Sequence, residues 1–447
     1  MLREKKLSTT KSARAIALET LIRVLENGSY SNISLNNNLK HSNLSVADQN
    51  LATKIVYGTI QYKIYLEYQL HDLIKSKITE KYLKPLLLMS AYQILFLDKV
   101  PNRAVLDEAN KLAKQFGKKH SSGFRLVNGI LRSLTRRGPI LPDKNDLVNY
   151  LSVKESFPRW LVEYFISLWG EARTEKILAS YNETAKNSVR LSILQDEEKT
   201  VAALKQAGYE PTPSKLAANV AILVHGGIAS SSLFKQGKLT IQDEAASLVV
   251  DAFDFKGNEK VLDACSAPGG KTVQIAEHLQ TGEVTALDIH DKKLRLVQQN
   301  TKRMNVADKV KTVAIDARKA DDYFSKQQFA KILVDAPCSG LGLLRRKPEI
   351  RYTKSKNDLF SLAKIQLAIL NHVSCLLEND GELIYSTCTI SKEEDEDVIR
   401  KFLAAHPDFA LQPFKLEKIS SKTGMLKILP DEYGSDGFFI AKLKLRG

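Results

Sequence analysis

Val261-Leu262-Asp263-Ala264-Cys265-Ser266-Ala267-Pro268-Gly269-Gly270-Lys271-Thr272 reads as a strand, a loop of small residues and the first turn of a helix. Ser266, Ala267, Gly269 and Gly270 let the backbone approach a ligand closely, and the free N–H groups of a helix start face the crevice. Further strands follow at 284–288, 310–316, 332–335 and 382–387, alternating with helical stretches. That alternation predicts a doubly wound parallel sheet, whose ligands gather at the carboxyl ends of its strands. Asp288 closes the strand after the loop, where a carboxylate can accept both hydroxyls of a ribose; Asp316 closes the next, placed to meet an adenine amine. The GxGxxG pattern of nicotinamide sites is absent, and the loop lacks the first glycine of a phosphate-cradling GxxxxGK[ST]. A nucleoside without phosphates, such as S-adenosyl-L-methionine, fits better.

Two cysteines fall at that same edge. Asp335-Ala336-Pro337-Cys338-Ser339-Gly340 follows one strand and Ser386-Thr387-Cys388-Thr389 another. Carbon 5 of cytosine is too weak a nucleophile to take a methyl group unaided. A thiolate adding to C6 turns C5 into an enamine-like carbon, a base then removes the C5 proton, and the thiol leaves. An acid near N3 assists the first addition, and Asp335 is the candidate. Position alone does not say which cysteine attacks or what removes the proton. Cys265 lies in the loop and packs or lines it, whereas Cys375, on the apolar face of the helix after Phe360, is expected to be a small buried hydrophobe. With no CxxC and no histidine pair at ligand spacing, no metal site is expected. The wide cysteine spacing also argues against a disulfide framework.

Outward from the sheet, the chain changes character twice. Residues 1–140 read as helices, with Leu18, Leu21, Ile22 and Leu25 on one face, Ser45 as a cap, and a nearly all-apolar central helix at about 85–97. That stretch is too short and interrupted to span a bilayer, and the basic residues 1–6 lead into no apolar core of a leader. Residues 141–235 hold an amphipathic helix through Trp160 and Trp169, then a small α/β unit in which Val189, Leu191 and Ile193 face inward and Arg190 and Ser192 outward. The remainder, 236–447, is the sheet domain. Nothing in the middle segment looks catalytic; it reads as a spacer or an RNA platform.

Charge is uneven. The chain carries +15 in all, but residues 1–150 hold 24 Lys and Arg against 12 Asp and Glu, and the other 297 residues are nearly balanced. A basic first third suits a polyanion. Arg125, Arg132 and Arg136 share a helical face suited to phosphates, and Arg345, Arg346 and Lys347, beside the Pro-Cys loop, are placed to hold an RNA backbone. The acidic run 393–397 reads more plainly, as a capping box of Ser391 with Glu394 at a helix start.

The 265–271 loop, the Asp-Ala-Pro-Cys-Ser-Gly at 335–340 and Thr387-Cys388 resemble the bacterial ribosomal RNA small subunit methyltransferase B family, over essentially the whole chain. The resemblance implies a multi-domain α plus α/β protein: an RNA-binding NusB-like helical bundle, a small α/β domain, and a Rossmann-like S-adenosylmethionine-dependent methyltransferase domain closed by a strand at Gly437-Phe438-Phe439. It implies Cys388 as nucleophile, Cys338 in proton removal or release, and cofactor contacts from residues 265–271, Asp288, Asp316 and Asp335. The implied substrate is one cytosine of 16S rRNA, position 967, in unassembled or partly assembled small subunits. A cytoplasmic monomer without metal is expected. Ser266 departs from the family's usual alanine. A tRNA or another rRNA cytosine, or a non-catalytic RNA-binding antitermination role, are the alternatives.

Overall fold

The computed structural model describes residues 12–75 and 77–446; residues 1–6, read above for a leader, lie outside them. The chain divides into two compact units, Met1–Asn182 with Lys347–Thr353, and Glu183–Arg346 with Lys354–Gly447.

The first unit is helical: α1 (Ala13–Asn27), α2 (Ser31–Lys40), α3 (Val46–Gln61), α4 (Lys63–His71), α5 (Leu83–Phe96), α6 (Asn102–Phe116), α7 (Gly123–Arg137), α8 (Leu147–Lys154) and α9 (Arg159–Ser180). Ser45 accepts from the Asp48 N–H and caps α3, while Gly28, at φ 68°, ends α1 in the left-handed region. As expected, α5 is buried on almost every side and centres the apolar core. Helices α2, α4 and α8 escaped the sequence reading; α2 carries four asparagines and almost no apolar stripe. The helix through Trp160 runs on past Gly170, which breaks it at φ 73°. Within this unit Arg351, fully buried, donates to the carbonyls of Gln61, Glu155, Ser156 and Tyr181 and to Asn182 Oδ1.

The second unit begins with β1 (Asn187–Leu191), α10 (Glu197–Gln206), β2 (Pro211–Pro213), β3 (Val220–Leu223), α11 (Ser232–Lys235) and β4 (Leu239–Ile241). These form an antiparallel sheet of order β2-β3-β1-β4, so its fourth strand comes from beyond residue 235. Arg190 is not a solvent-side residue: it is buried, donating to Gln242 at 2.8 Å and pairing with Glu277. Ile193 lies past the strand and is 39% exposed.

Then come α12 (Glu244–Asp251), β5 (Lys260–Asp263), α13 (Gly270–His278), β6 (Glu283–Asp288), α14 (Asp291–Arg303), β7 (Val310–Ala314), β8 (Phe329–Asp335), α15 (Ile350–Thr353, in the helical unit), α16 (Lys356–Ser374), β9 (Leu377–Thr387) and α17 (Glu396–Ala405). Short strands β10 (Phe409–Leu411), β11 (Phe414–Lys415), β12 (Ser420–Ser421) and β13 (Met425–Ile428), helix α18 (Pro430–Tyr433) and β14 (Phe438–Leu445) finish the chain. The main sheet has order β10-β14-β9-β8-β5-β6-β7. Strands β9 to β7 are parallel, as expected, but β14 pairs antiparallel with β9 and brings β10 and β13 with it. The architecture is Rossmann-like with an antiparallel edge.

Both faces of this sheet are apolar. Ile332, Val334, Leu383, Tyr385 and Phe439 pack on one side with α16 and α17, while Leu333, Ile384 and Ile440 pack on the other with α12 and α13. That period-two alternation makes the central strands read as continuous hydrophobic runs. Strand order reverses at β5, between β6 and β8, and the crevice at such a reversal is where doubly wound sheets hold ligands.

Candidate active site

A cavity of about 390 Å³ opens at the carboxyl ends of these strands. Ala264, Cys265 and Ala267 line it from β5, Asp288 and Ile289 from β6, Ile315 and Asp316 from β7. Asp335 to Cys338 line it from β8, Cys388 from β9, and Ile365 and Ile369 from α16. The strand-end acids and two cysteines read from the sequence therefore meet around one space.

The 265–271 loop is braced rather than uniformly lining. Ser266 points inward, its N–H and Oγ both donating to the Leu287 carbonyl at 2.8 Å, so its extra hydroxyl is satisfied. Gly269, at φ 104°, opens α13, and a Cβ there would come within 3.0 Å of Val297 Cα. Asn300 donates to the Pro268 carbonyl at 2.9 Å. Thr272 donates to Asp263 at 2.6 Å. Asp263 is buried, and that burial pushes its pKa up to about 7. Lys271 does not line the cavity; it pairs with Asp335 Oδ2 at 2.8 Å and sits 4.9 Å from the Phe438 ring centre.

Asp335 is held from two sides, because Ser386 donates to its Oδ1 at 2.8 Å. Asp288 Oδ1 accepts from the His290 N–H at 2.8 Å while the residue faces the cavity. Asp316 is engaged by Arg318, whose Nε reaches both its oxygens at 3.0 and 3.1 Å, and this pairing holds the carboxyl below its ordinary pKa. Apolar walls from Ile289, Ile315, Ile365 and Ile369 complete the space. Strand-end carboxylates at 288, 316 and 335 together with apolar walls give a lining whose chemistry fits S-adenosylmethionine.

The sulfurs of Cys338 and Cys388 lie 3.1 Å apart. They hang from adjacent parallel strands, β8 and β9, in register at Asp335 and Ser386. Gly342 N–H donates to the Cys388 carbonyl at 3.0 Å and Gly342 accepts from Gly437 N–H at 2.9 Å; a Cβ at 342 would overlap the Gly437 carbonyl. The Cys338 thiol is pushed well above the usual thiol range, first by the facing Cys388 sulfur and then by burial. Cys265 is also pushed up, by burial. Cys375 ends α16 and packs against the apolar core.

Arg345 and Arg346 correct their reading as RNA-backbone contacts. Arg345 is buried and donates to the carbonyls of Pro430, Gly434 and Ser435; Arg346 pairs with Asp243 and Asp436, each at 2.9 Å. A basic triplet looks the same in sequence whether its acceptors are phosphates or distant parts of its own chain. Lys347 is exposed, as are Arg125, Arg132 and Arg136 on α7. The capping box is also corrected: α17 starts at Glu396, and Glu394 is fully buried with its carboxylate turned onto Ser339, Gln366 and Ser391. Glu394, Gln366 and Ser386 were missed; only the acidic run hinted at the first. Among the described residues no cluster of His, Cys, Asp and Glu has a metal-holding arrangement, and no helix is long and apolar enough to cross a membrane.

Family models match the chain in series: the NusB family over residues 11–136, a ferredoxin-like domain of RsmF/B-like methyltransferases over 157–229, and 16S rRNA methyltransferase RsmB/F over 250–444. A curated protein of Bacillus subtilis (strain 168), named probable ribosomal RNA small subunit methyltransferase B, is 40% identical across 98% of this chain and 99% of its own length. Its namesake in Synechocystis sp. (strain ATCC 27184 / PCC 6803 / Kazusa) is 32% identical, across 97% and 99%. Among solved structures, PH0851 matches with a TM-score of 0.83 at 26% identity, covering 98% of this chain and 100% of that one. NSun6 from Pyrococcus horikoshii, solved with SFG, shares the fold at a TM-score of 0.60 and 23% identity, over 66% of this chain and 99% of that one. The chain belongs to the ribosomal RNA small subunit methyltransferase B family.

Proposed function

We propose that this chain methylates carbon 5 of a cytosine in 16S rRNA, cytosine 967, from S-adenosyl-L-methionine through a covalent cysteine–C6 adduct. The observation that carries this reading is the pair of sulfurs 3.1 Å apart in the wall of a cavity rimmed by three strand-end carboxylates. When bound, the cofactor supplies an electrophilic methyl group on a sulfonium. Asp288 holds the ribose, Asp316 faces the adenine edge, and residues 265–271 shape the floor. Cys388 attacks C6, Asp335 hydrogen-bonds the ring near N3, and Lys271 with Ser386 fixes that carboxyl. After transfer the C5 proton leaves and Cys388 is released, and Cys338, in contact with the attacking sulfur, assists that step.

RNA binds the helical bundle. Between Glu108 and Asp143 the sequence has eight Lys and Arg and no acid. Arg125, Arg132 and Arg136 are exposed there at helical spacing, with Lys114 and Arg125 flanking the Phe124 ring. Lys347 is a further phosphate contact. The functional division runs 1–140, 141–235 and 236–447, the middle part serving as platform. The target base must leave any stack to enter the cavity, which suits rRNA not yet assembled or partly assembled. The protein works as a cytoplasmic monomer without metal.

The test is transfer of labelled methyl groups to unmodified 16S rRNA, with bisulfite sequencing of rRNA from cells lacking the protein. The reading expects transfer, and loss of protection at cytosine 967. Transfer to tRNA alone, or to no RNA, would overturn it.

A further inference from the structure

Glu394 stands in an acidic run, where carboxylates ordinarily face water, yet it has no exposed surface. Its Oε1 accepts from the Ser339 N–H at 2.8 Å and from Gln366 Nε2 at 3.0 Å. Its Oε2 accepts from Ser339 Oγ at 2.5 Å and Ser391 Oγ at 2.7 Å. An ionised carboxylate has about four acceptor positions, so four donors fill it. Burying a charge is costly unless its hydrogen bonds are complete, and here they are.

Three of the four donors come from the segments that carry the two sulfurs, and the fourth from α16. Ser339 follows Cys338. Gln366, on α16, also donates to the Pro337 carbonyl at 3.0 Å, the residue before Cys338. Ser391 lies three residues past Cys388, and Ser339 Oγ meets Thr389 Oγ1 at 2.8 Å, immediately after Cys388. Tyr385, on β9 ahead of Cys388, donates to the Glu394 carbonyl at 2.6 Å. The Glu394 carboxylate thus ties the residue after Cys338 to Ser391 beyond Cys388 and, through Gln366, reaches the residue before Cys338, while its backbone carbonyl holds Tyr385; the side chain neither hydrogen-bonds a sulfur nor lines the cavity.

We infer that Glu394 is a positioning residue that holds the Cys338 loop at contact distance from Cys388, and so sets the rate of the release step. This rests on the thiol roles proposed above. A carboxamide at this position would aim N–H donors at donors, displacing Ser339 and with it the neighbouring sulfur. Displacements of about 1 Å in a reacting constellation cost on the order of 10²-fold in rate.

The test uses the full chain carrying Glu394→Gln, Ser339→Ala or Cys338→Ala, with a 16S rRNA transcript and labelled S-adenosylmethionine. Turnover, cofactor affinity and denaturation-resistant protein–RNA adduct are measured for each. Glu394→Gln is expected to bind cofactor within about twofold of wild type, to turn over on the order of 10²-fold more slowly, and to accumulate adduct as Cys338→Ala does. Ser339→Ala should move the same way by about tenfold, and it carries the test if Glu394→Gln does not fold. Turnover within about threefold of wild type in the folded variant, or loss of cofactor affinity in step with turnover, overturns the inference. So does slow turnover without adduct while Cys338→Ala traps one. Absence of adduct in Cys338→Ala itself overturns the thiol roles, and the split between turnover and cofactor affinity in Glu394→Gln then decides the inference alone.

Discussion

Cys338 and Cys388 face each other across 3.1 Å, one on the loop after β8 and one at the end of β9. Fifty residues separate them in sequence, and parallel pairing of their strands makes them neighbours. If Cys388 attacks as proposed, a second sulfur in contact with it can serve departure without taking part in attack. Replacing Cys338 by alanine is therefore expected to cut turnover by at least ~10²-fold, the scale of an acid–base contribution, while a denaturation-resistant protein–RNA adduct builds up. Gel electrophoresis under denaturing conditions reads it; turnover lost without adduct would mean that Cys338 acts before or during attack.

The α7 arginines are expected to act on affinity and not on chemistry. Changing Arg125, Arg132 and Arg136 together to alanine removes three phosphate partners, which lowers the slope of log K against log salt by about 2 to 3. Turnover at saturating RNA should hold. Filter binding over a salt series measures this, and an unchanged slope would remove α7 from the RNA path. Arg346→Ala gives the contrast: the buried carboxylates of Asp243 and Asp436 lose their partner, so thermal stability falls.

Burial makes Asp263 sensitive to pH. Its pKa rises from 3.8 to about 7 on folding, so between those values the native state keeps a proton that the unfolded chain has lost. Stability from this group therefore falls as pH climbs through that window. Asp263→Asn removes the penalty, and its melting temperature should gain on that of wild type from pH 5 to pH 8. A gap that stays constant with pH would contradict the assignment.

Arg351 is expected to matter for folding. Five oxygens depend on it, and alanine would strand buried carbonyls at a cost of about 3 kcal/mol or more. Faster hydrogen exchange at Gln61, Glu155 and Tyr181 should report this. Lys347→Ala, four residues away and exposed, should leave those amides protected.

How much of this was legible follows from what each signal depends on. Strands β5, β6, β8 and β9 were readable because both sheet faces are apolar there, so each carries a bounded hydrophobic run ending in a small or acidic residue; β7, at the sheet edge, is half-exposed. The loop after β5 was readable because close backbone approach demands small residues. Asp288, Asp316, Asp335, Cys338 and Cys388 fall together because strand ends in a parallel sheet share an edge. Other features depended on partners far away in sequence. Nothing near Arg346 announces Asp243 and Asp436, and nothing near Glu394 announces Ser339 or Gln366. Arg190 obeyed the alternation of a half-buried strand, but α13 covers the side that should have been solvent and supplies Glu277. The antiparallel edge at β14 was visible only as Gly437-Phe438-Phe439, where residues carry no sign of strand direction.

The attack by Cys388 is tested most directly by peptide mapping of the adduct trapped in the Cys338→Ala chain. After nuclease and protease digestion, mass spectrometry should find the nucleotide on the peptide that contains Cys388, and Cys388→Ala should yield no adduct. A nucleotide carried by Cys338 in the Cys388→Ala chain would contradict the account.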